Sequence, residues 1–391
     1  MMTDNELDIL LMGDNGLDTV GGEQESTKII INGSKDKYSL GVIQPGEVSN
    51  PKSGVIYFDL TKHTRIKHLV KNPLEVVRYI LKVKKIINDK KPKVIHTQAQ
   101  VSFFIVALLK KFRLISKDNY LIHTERGLYT KYNKPFKQLF FFFMKELDVL
   151  VTTTEFNMKY WREALEEKGF SLDYKIIENT AGDLFEVYDE SVGKADDGIL
   201  NLGFAGRYTA WKNWPLAVEI SEKLNKILGN SLHVKMAIGC LDEKALEETK
   251  AMYNELEQTL GSRFDGKINI TLKEMDKFYY DIDVFVLTSN HNTESFGRTL
   301  VEAMSRKTVV LTTDAGGSVE VVGNTNNVHE TADEFVAKVM EFFKDKNEMV
   351  EEKEKNMRRV KEVYSLENNL SKHLDMYERI IGDVYNKDVK I

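Results

Sequence analysis

The sequence has little of several features that would define a compartment or a class of fold. Its 391 residues include one cysteine, Cys240, which excludes a disulfide framework and a cysteine metal cluster. The longest apolar runs, residues 101–109 and 139–144, are far shorter than the roughly 18 residues needed to span a bilayer. Residues 1–10 are acidic and polar and do not fit a secretory signal. These absences predict a soluble cytoplasmic protein, with Cys240 as a small buried apolar residue.

The chain is long enough for two domains of similar size, and its pattern indicates two of them. Short apolar runs alternate with amphipathic stretches, which is typical of parallel α/β layers. In the first half we predict strands at residues 9–12, 94–95, 120–123 and 149–152, and a helix at residues 74–87. After a polar linker at residues 188–198, we predict strands at 199–205, 232–238, 268–271, 284–288 and 308–312, and helices at 215–228 and 366–384.

The strongest motif runs from Glu294 through Gly297 to Glu302, directly after a predicted strand. A glycine lets the backbone approach a ligand closely, and residues 299–304 look like the start of a helix, where amides favour a phosphate. The carboxylate of Glu302 offers two acceptor oxygens, which suit a ribose diol. The alternative is that both glutamates are ordinary surface residues flanking a helix.

Two further loops follow predicted strands. Arg207 and Lys212 lie beyond the strand at residues 199–205, where they would form a charge-assisted clamp for a diphosphate. The alternative is a solvated basic loop. Gly316 and Gly317 follow the strand at residues 308–312 and precede Glu320, a pattern that suits either a backbone close to a ligand or a plain turn.

In their order and spacing these motifs resemble those of the retaining glycosyltransferases of family four. The resemblance covers nearly the whole chain and implies the α/β GT-B fold, with two Rossmann-like domains facing each other across a cleft. It implies an acceptor-binding domain at residues 1–187, a linker at 188–198 and a nucleotide-sugar-binding domain at 199–365. Residues 366–391 would form a helix crossing back to the first domain.

The resemblance also implies the roles of single residues. Glu294 and His123 would be catalytic, Glu294 beside the donor sugar and His123 at the end of a strand, although a lone histidine there is more often structural. The loop that contains Gly21 and Gly22 and the segment that begins at Asn179 also resemble family motifs. Donor binding is assigned to Gly21, Gly22, Arg207, Lys212, Ser295, Phe296, Gly297, Thr299 and Glu302.

The expected reaction transfers a hexose from a nucleoside diphosphate sugar, with uridine as the expected base, to an acceptor. Cations and amides aimed at the leaving diphosphate would stabilise its developing charge. We therefore expect no metal and no cofactor, because the nucleotide sugar is a co-substrate. Retention through a front-face reaction follows from the resemblance alone. Two alternatives stay open: a nucleotide-sugar epimerase of the same fold, and a catalytically silent sugar-nucleotide-binding scaffold.

The charge of the chain is unevenly distributed. Residues 51–150 carry 21 Lys and Arg against 7 Asp and Glu, a balance of +14, whereas the remainder carries 34 against 53, a balance of −19. In the first region, basic residues lie beside the apolar run at residues 139–144. We expect the aromatic side chains of this run to be exposed, and together with the basic residues they would bind an anionic membrane surface. This predicts a lipid-linked or anionic acceptor, such as a cell-envelope glycan precursor, and a peripheral position at the inner face of the membrane. The alternative is that the phenylalanines are core and the lysines a solvated face; nucleic acid is not an expected partner, since the other regions are acidic.

The basic groups behind this prediction fall into four sets. They are Lys82, Lys84 and Lys85; Lys90, Lys91 and Lys93; Lys110, Lys111 and Arg113; and Lys131, Lys134 and Lys137.

Overall fold

The structure is a computed structural model that describes residues 6–19, 21–192 and 197–388. The chain divides into two compact units. Unit 1 comprises residues 1–179 and 367–391, and unit 2 comprises residues 180–366. Residues 193–196 of the predicted linker and residues 389–391 of the predicted last segment lie outside the described residues.

Unit 1 contains a seven-stranded parallel sheet in its described part, with strand order β3-β2-β1-β4-β5-β6-β7. The strands are β1 Ile9–Met12, β2 Leu40–Gln44, β3 Val55–Asp59, β4 Val94–Thr97, β5 Tyr120–Thr124, β6 Val149–Thr152 and β7 Asp173–Ile176. The helices are α1 Gly22–Ser34, α2 Pro73–Lys90, α3 Gln100–Lys111, α4 Lys134–Met144 and α5 Glu155–Glu166. The chain reverses its direction across the sheet between β1 and β4, which makes that pair the topological switch point.

The central strands of unit 1 form because they are short apolar runs buried on both faces. Side chains of α2, α3, α4 and α5 pack in one cluster with Leu10, and α1 packs with Ile9 in another. Helix α2 begins at Asn72, whose side chain accepts a hydrogen bond from the amide of Leu74. It continues to Lys90, three residues beyond the predicted end, so Lys82, Lys84 and Lys85 lie within the helix.

The predicted exposure of the apolar run at residues 139–144 is wrong. Phe140, Phe141 and Phe143 are buried in the core of unit 1, and of the four phenylalanines only Phe142 is exposed. Four consecutive helical residues point in directions 100° apart, so they cannot all be exposed on a helix that packs against the core. Lys110 is also buried and forms an ion pair with Asp148 at 2.8 Å, which removes it from any exposed basic surface.

Unit 2 contains a five-stranded parallel sheet in its described part, with order β10-β9-β8-β11-β12. The strands are β8 Leu200–Arg207, β9 Leu232–Gly239, β10 Phe264–Ile268, β11 Val284–Leu287 and β12 Val309–Thr312. The helices are α6 Trp214–Leu228, α7 Glu243–Leu260, α8 Leu272–Tyr280, α9 Arg298–Met304, α10 Gly317–Val322, α11 Ala332–Lys344 and α12 Lys346–Val363. The switch point of this sheet lies between β8 and β11.

Two predictions for unit 2 need correction. The strand predicted at residues 268–271 ends at Ile268, because Thr271 instead caps α8 through a capping box with Glu274. Cys240 is half-buried, and its Sγ lies 3.3 Å from the hydroxyl of Thr249.

Helix α13, Leu366–Asp388, belongs to unit 1 from residue 367 onward. Its residues Met376, Tyr377 and Ile380 lie in the same buried cluster as Ile9 of β1. The hydroxyl of Tyr377 lies 2.6 Å from Nδ1 of His96, a fully buried histidine of β4. The core of unit 1 is therefore assembled from both ends of the sequence.

Candidate functional site

The candidate site of unit 2 lies beyond the carboxyl ends of β8 and β11. A short 3-10 helix, Ala210–Lys212, follows β8, and the segment from Ser289 to Gly297 follows β11. Two hydrogen bonds join these segments, from the Thr288 hydroxyl to the carbonyl of Lys212 at 2.8 Å and from the amide of Asn290 to the carbonyl of Trp211 at 2.8 Å. Because these strands flank the switch point, the site lies where parallel sheets bind ligands.

Lys212 and Glu294 are brought together in this site. The ammonium Nζ of Lys212 lies 2.7 Å from Oε1 of Glu294, and the hydroxyl of the buried Ser289 donates to the same oxygen at 2.7 Å. The Lys212 side chain also lies against Gly206, where a Cβ would stand 3.3 Å from Cε. A cation and a carboxylate therefore share one partly buried position at the strand ends.

The backbone around Glu294 is fixed by the turn that contains Gly316 and Gly317. The amide of Glu294 donates to the carbonyl of Ala315 at 2.8 Å, and the amide of Gly317 donates to the carbonyl of Glu294 at 2.8 Å. A Cβ on Gly317 would stand 2.2 Å from the carbonyl oxygen of Ser295. The second glycine is thus required by the close approach of two protein segments, whatever ligand they bind.

The segment after Glu294 leads into α9. Phe296 is buried and packs edge-on against Tyr364, and Gly297 has a φ of 94°, a left-handed conformation that favours glycine. The hydroxyl of Thr299 is buried and has no hydrogen-bond partner among the described residues. A buried hydroxyl without a partner is costly, so such a group needs an explanation, of which a bound ligand is one.

The buried carboxylate of Glu302 accepts hydrogen bonds from Tyr279 and Arg298. Its Oε2 accepts from the hydroxyl of Tyr279 at 2.8 Å, and its Oε1 accepts from Nε of Arg298 at 3.1 Å. Arg298 also donates from Nη2 to the carbonyl of Ala181 at 2.6 Å. Burial, followed by the negative charge of Glu302, raises the pKa of Tyr279 well above its ordinary value, so the phenol remains a donor at neutral pH.

Arg207 is the last residue of β8 and its side chain is exposed. Between Arg207 and Lys212 lies Thr209, whose hydroxyl is buried and, like that of Thr299, has no partner within the part of the chain that the structure describes. The sequence motifs do not include Thr209, Ser289 or Tyr279. Only the positions of Thr209 and Ser289 in the sequence could have indicated them, because each follows a strand whose next loop carries a motif.

His123 lies in unit 1 and is fully buried. Its Nδ1 lies 3.0 Å from the hydroxyl of Thr97, its Nε2 lies 3.3 Å from Oε2 of Glu125, and its ring stacks on Phe103 with centroids 4.5 Å apart. Oε1 of Glu125 in turn accepts from the amide of Gly127 at 2.5 Å. The ring therefore orients the loop that follows β5, and the catalytic role assigned to it stays a prediction.

Gly21 and Gly22 lie at the start of α1 in unit 1, with Gly21 as the residue preceding the helix. A Cβ on Gly22 would meet no atom within 4 Å. The next residue, Glu23, accepts hydrogen bonds from the amide of Asp14 at 2.8 Å and from Nδ2 of Asn15 at 2.5 Å. Burial, together with the nearby charge of Asp14, raises the pKa of Glu23 to about 7.

Metal ligands do not cluster in the described residues. No group of three or more His, Cys, Asp or Glu side chains there is placed to hold a metal ion. The positive groups at the unit 2 strand ends are instead Arg207 and Lys212, which are chemically suited to phosphate oxygens.

The sequence of unit 2 matches a known family. Residues 189–361 match the sequence model of the family described as glycosyl transferases group 1, which supports glycosyl transfer as the general class of reaction. A comparison of the sequence with curated proteins finds no significant match.

Solved structures share the fold along nearly the whole chain. A glycosyltransferase from Rickettsia africae is similar with a TM-score of 0.72 and 18% identity, covering 97% of this chain and 99% of that chain. Sucrose-phosphate synthase from Thermosynechococcus elongatus has a TM-score of 0.78 at 13% identity, covering 96% and 99%. HepE from Anabaena, solved with UDP and glucose, has a TM-score of 0.69 at 12% identity, covering 95% and 99%. With the two parallel-sheet units, these likenesses confirm the predicted GT-B fold of two Rossmann-like domains.

Proposed function

We propose that the protein is a retaining, metal-independent glycosyltransferase that uses a uridine diphosphate sugar. The observation that carries the proposal is the Lys212, Glu294 and Ser289 cluster at the switch point of unit 2. It lies within the residues that match a glycosyl transferase family, and the UDP in the HepE complex supports uridine as the base. Arg207 and Lys212 hold the diphosphate, and Glu302 holds the ribose.

The chemistry requires stabilisation of a leaving group. Negative charge develops on the diphosphate as its bond to the anomeric carbon breaks, and preorganised cations lower the energy of that transition state. The backbone of Lys212 is already held in place by the hydrogen bond from the Thr288 hydroxyl to its carbonyl, so this loop loses little conformational freedom when a donor binds. In the proposed front-face reaction, a leaving phosphate oxygen accepts the proton of the acceptor hydroxyl.

Glu294 acts on the donor sugar in this proposal. Its Oε1 already accepts from Lys212 and Ser289, and the backbone amides of Phe296 and Gly297 follow directly in the chain. The hydroxyls of Thr209 and Thr299, both buried and unsatisfied within the described residues, are available to a bound donor. For His123, which is fully buried, we propose a positioning role through Glu125 and the loop after β5.

The acceptor is proposed to be an anionic or lipid-linked glycan bound by unit 1. The support is the balance of +14 over residues 51–150, all of which lie in that unit. Neither the epimerase nor the silent scaffold is favoured by the match to a transferase family.

A donor-turnover assay tests the proposal. UDP-sugars are incubated with and without a polyanionic or lipid-linked glycan acceptor, and both UDP and the sugar product are identified. A transferase releases UDP in an acceptor-dependent manner and keeps the anomeric configuration. An epimerized nucleotide sugar formed without acceptor, or no turnover with any donor that binds, would show that the assignment is wrong. Lys223→Ala, which removes the surface ion pairs of Lys223 with Glu219 and Asp333, is the control for Lys212→Ala.

A further inference from the structure

Helix α2 of unit 1 is apolar on two opposite sides. Tyr79, Val83 and Ile87 are buried and face the core. Leu74, Val77 and Leu81 repeat at the spacing of one helical face, yet their side chains are 53 to 67% exposed. At 100° per residue, this second stripe points away from the buried one. The outward side of a surface helix is normally polar, so the stripe is unusual.

The stripe continues beyond both ends of the helix. The 3-10 helix Ile66–Lys71 precedes α2 and exposes Val70 to 71%. Near the other end of α2, Nδ2 of Asn88 donates a hydrogen bond to the carbonyl of Leu114 at 3.2 Å. This bond holds the turn that contains the exposed Phe112 and Leu114 beside the helix. We call the exposed apolar side chains of this region the α2 surface: Val70, Leu74, Val77, Leu81, Phe112 and Leu114.

Basic residues frame the α2 surface. Residues 62–93 carry eleven Lys and Arg against two acidic residues, Glu75 and Asp89. The carboxylate of Glu75 accepts from Asn72 at 3.1 Å and lies 3.3 Å from His63, so it is already engaged by neighbouring side chains. The exposed cations beside the apolar stripe are Lys67, Lys71, Arg78, Lys82 and Lys85.

We propose that the α2 surface docks the protein on an anionic lipid bilayer, with α2 lying in the plane of the headgroups. Apolar side chains on one helix face, framed by Lys and Arg, are the arrangement that inserts into the boundary between headgroups and acyl chains. The charge of the frame selects anionic lipids. A second copy of the same surface is a poor occupant, because docking would place like charges against each other. No helix among the described residues is long and apolar enough to cross a membrane, and lying in the interface requires none.

This docking surface differs from the one that the sequence indicated. Three of the four phenylalanines at residues 140–143 are core, and Lys110 is paired with Asp148. The lysines of α2 are among the basic groups that the sequence shows, whereas the exposure of the apolar side chains between them becomes evident only in the structure. The inference goes beyond the proposed sugar transfer and does not depend on turnover.

Co-sedimentation with vesicles tests the proposal. The full chain is mixed with vesicles of phosphatidylcholine alone or with added phosphatidylglycerol, at low and high salt. We expect binding only to the anionic vesicles and its loss at high salt, since each Lys or Arg contributes roughly fivefold to partitioning. The variant Leu74→Ser/Val77→Ser/Leu81→Ser should lower the partition coefficient by at least about tenfold. Lys71→Gln/Arg78→Gln/Lys85→Gln should lower it on the order of a hundredfold at low salt.

The controls are Ile227→Ser and Val350→Ser, which remove equally exposed apolar side chains from unit 2. Both should bind vesicles like the unmodified protein, and thermal unfolding should show that every variant is folded. Absence of binding to anionic vesicles at low salt overturns the proposal, as does equal binding of the α2 serine variant. If the unmodified protein is a dimer and the serine variant is a monomer that still binds vesicles, the α2 surface contacts a second copy of the chain and not a membrane. UDP binding is measured in parallel, so failure of the donor site is distinguishable from failure of docking.

Discussion

The ammonium of Lys212 lies 2.7 Å from the carboxylate of Glu294, and both side chains are largely buried. The proposed roles of the two residues differ, one serving the diphosphate and the other the sugar. Each of the two side chains satisfies the other's charge. Donor binding has to redistribute this ion pair, and the two residues should not behave independently.

Glu294→Gln should separate binding from catalysis. Without the carboxylate, Lys212 is released to the diphosphate, and UDP affinity should rise about fivefold, which corresponds to roughly 1 kcal/mol of lost ion pairing. The turnover number should fall on the order of a hundredfold, because a group aimed at the transition state is lost. Isothermal titration and steady-state kinetics measure the two effects, with Glu219→Gln on α6 as the control. Weaker UDP binding together with unchanged turnover would contradict the assignment.

Glu302→Gln should abolish recognition of the ribose hydroxyls. We expect the unmodified protein to bind UDP more tightly than 2′-deoxy-UDP, and the variant to bind both equally. Tyr279→Phe removes a donor from the buried carboxylate and should lower the free energy of unfolding by about 1–3 kcal/mol. If Glu302→Gln still distinguishes the two nucleotides as well as the unmodified protein does, Glu302 does not bind the ribose.

Gly317→Ala should disrupt the site through the backbone. The added Cβ would stand 2.2 Å from the carbonyl oxygen of Ser295, so one of the two segments has to move. We expect a loss of about 1–3 kcal/mol in stability and a marked loss of donor affinity. Gly382→Ala in α13, where a Cβ meets no atom within 4 Å, is the control and should leave both properties unchanged. Normal donor binding by Gly317→Ala would show that the tight turn is unimportant for the site.

Glu23 should make unit 1 less stable as the pH rises. Its pKa is raised from an ordinary value of 4.5 to about 7 by burial and by the charge of Asp14. Between these two values the unfolded chain releases the proton more readily than the folded one, so the free energy of unfolding falls with increasing pH. The stability of Glu23→Gln relative to the unmodified protein should therefore improve from pH 5 to pH 8. Urea unfolding at both pH values measures the difference, with Glu25→Gln as the control; a pH-independent difference would refute the shift.

Transfer should not require a divalent ion. The proposed positive charge at the diphosphate comes from Arg207 and Lys212. Activity after exhaustive treatment with EDTA should match that of untreated protein. Loss of activity that magnesium or manganese restores would show that the two side chains are not sufficient.

The sequence predicted β1, β4, β5 and β6 of unit 1, but it predicted neither the interior strand β2 nor the edge strands β3 and β7. Residues 9–12 and 149–152 are short apolar runs buried on both faces, and both strands have the predicted bounds. The edge strands β3 and β7 were missed because they mix polar and apolar residues and are partly exposed. The sequence left open whether the phenylalanines at residues 140–143 are exposed or core, because composition does not tell which side of a helix faces the core; three of the four are core.

The candidate site was predicted as separate motifs, and the structure shows how they combine. The spacing of Glu294 and Glu302 predicted that both carboxylates belong to the donor site. Their partners Lys212 and Tyr279 come from other elements of the fold and are brought to them by tertiary packing. Ser289 and Thr209 carry no spacing signal of their own. Such contacts depend on strand order, which the sequence pattern does not specify.

The position of α13 has a consequence for synthesis on the ribosome. Met376, Tyr377 and Ile380 complete the cluster that contains Ile9 and Leu11, yet they emerge only after all of unit 2 has been made. At about 5–20 residues per second, the part of this sheet face that α13 covers stays exposed for roughly 10–40 s. Throughout the synthesis of unit 2, the part of unit 1 already made therefore exposes apolar side chains to chaperones and to neighbouring nascent chains.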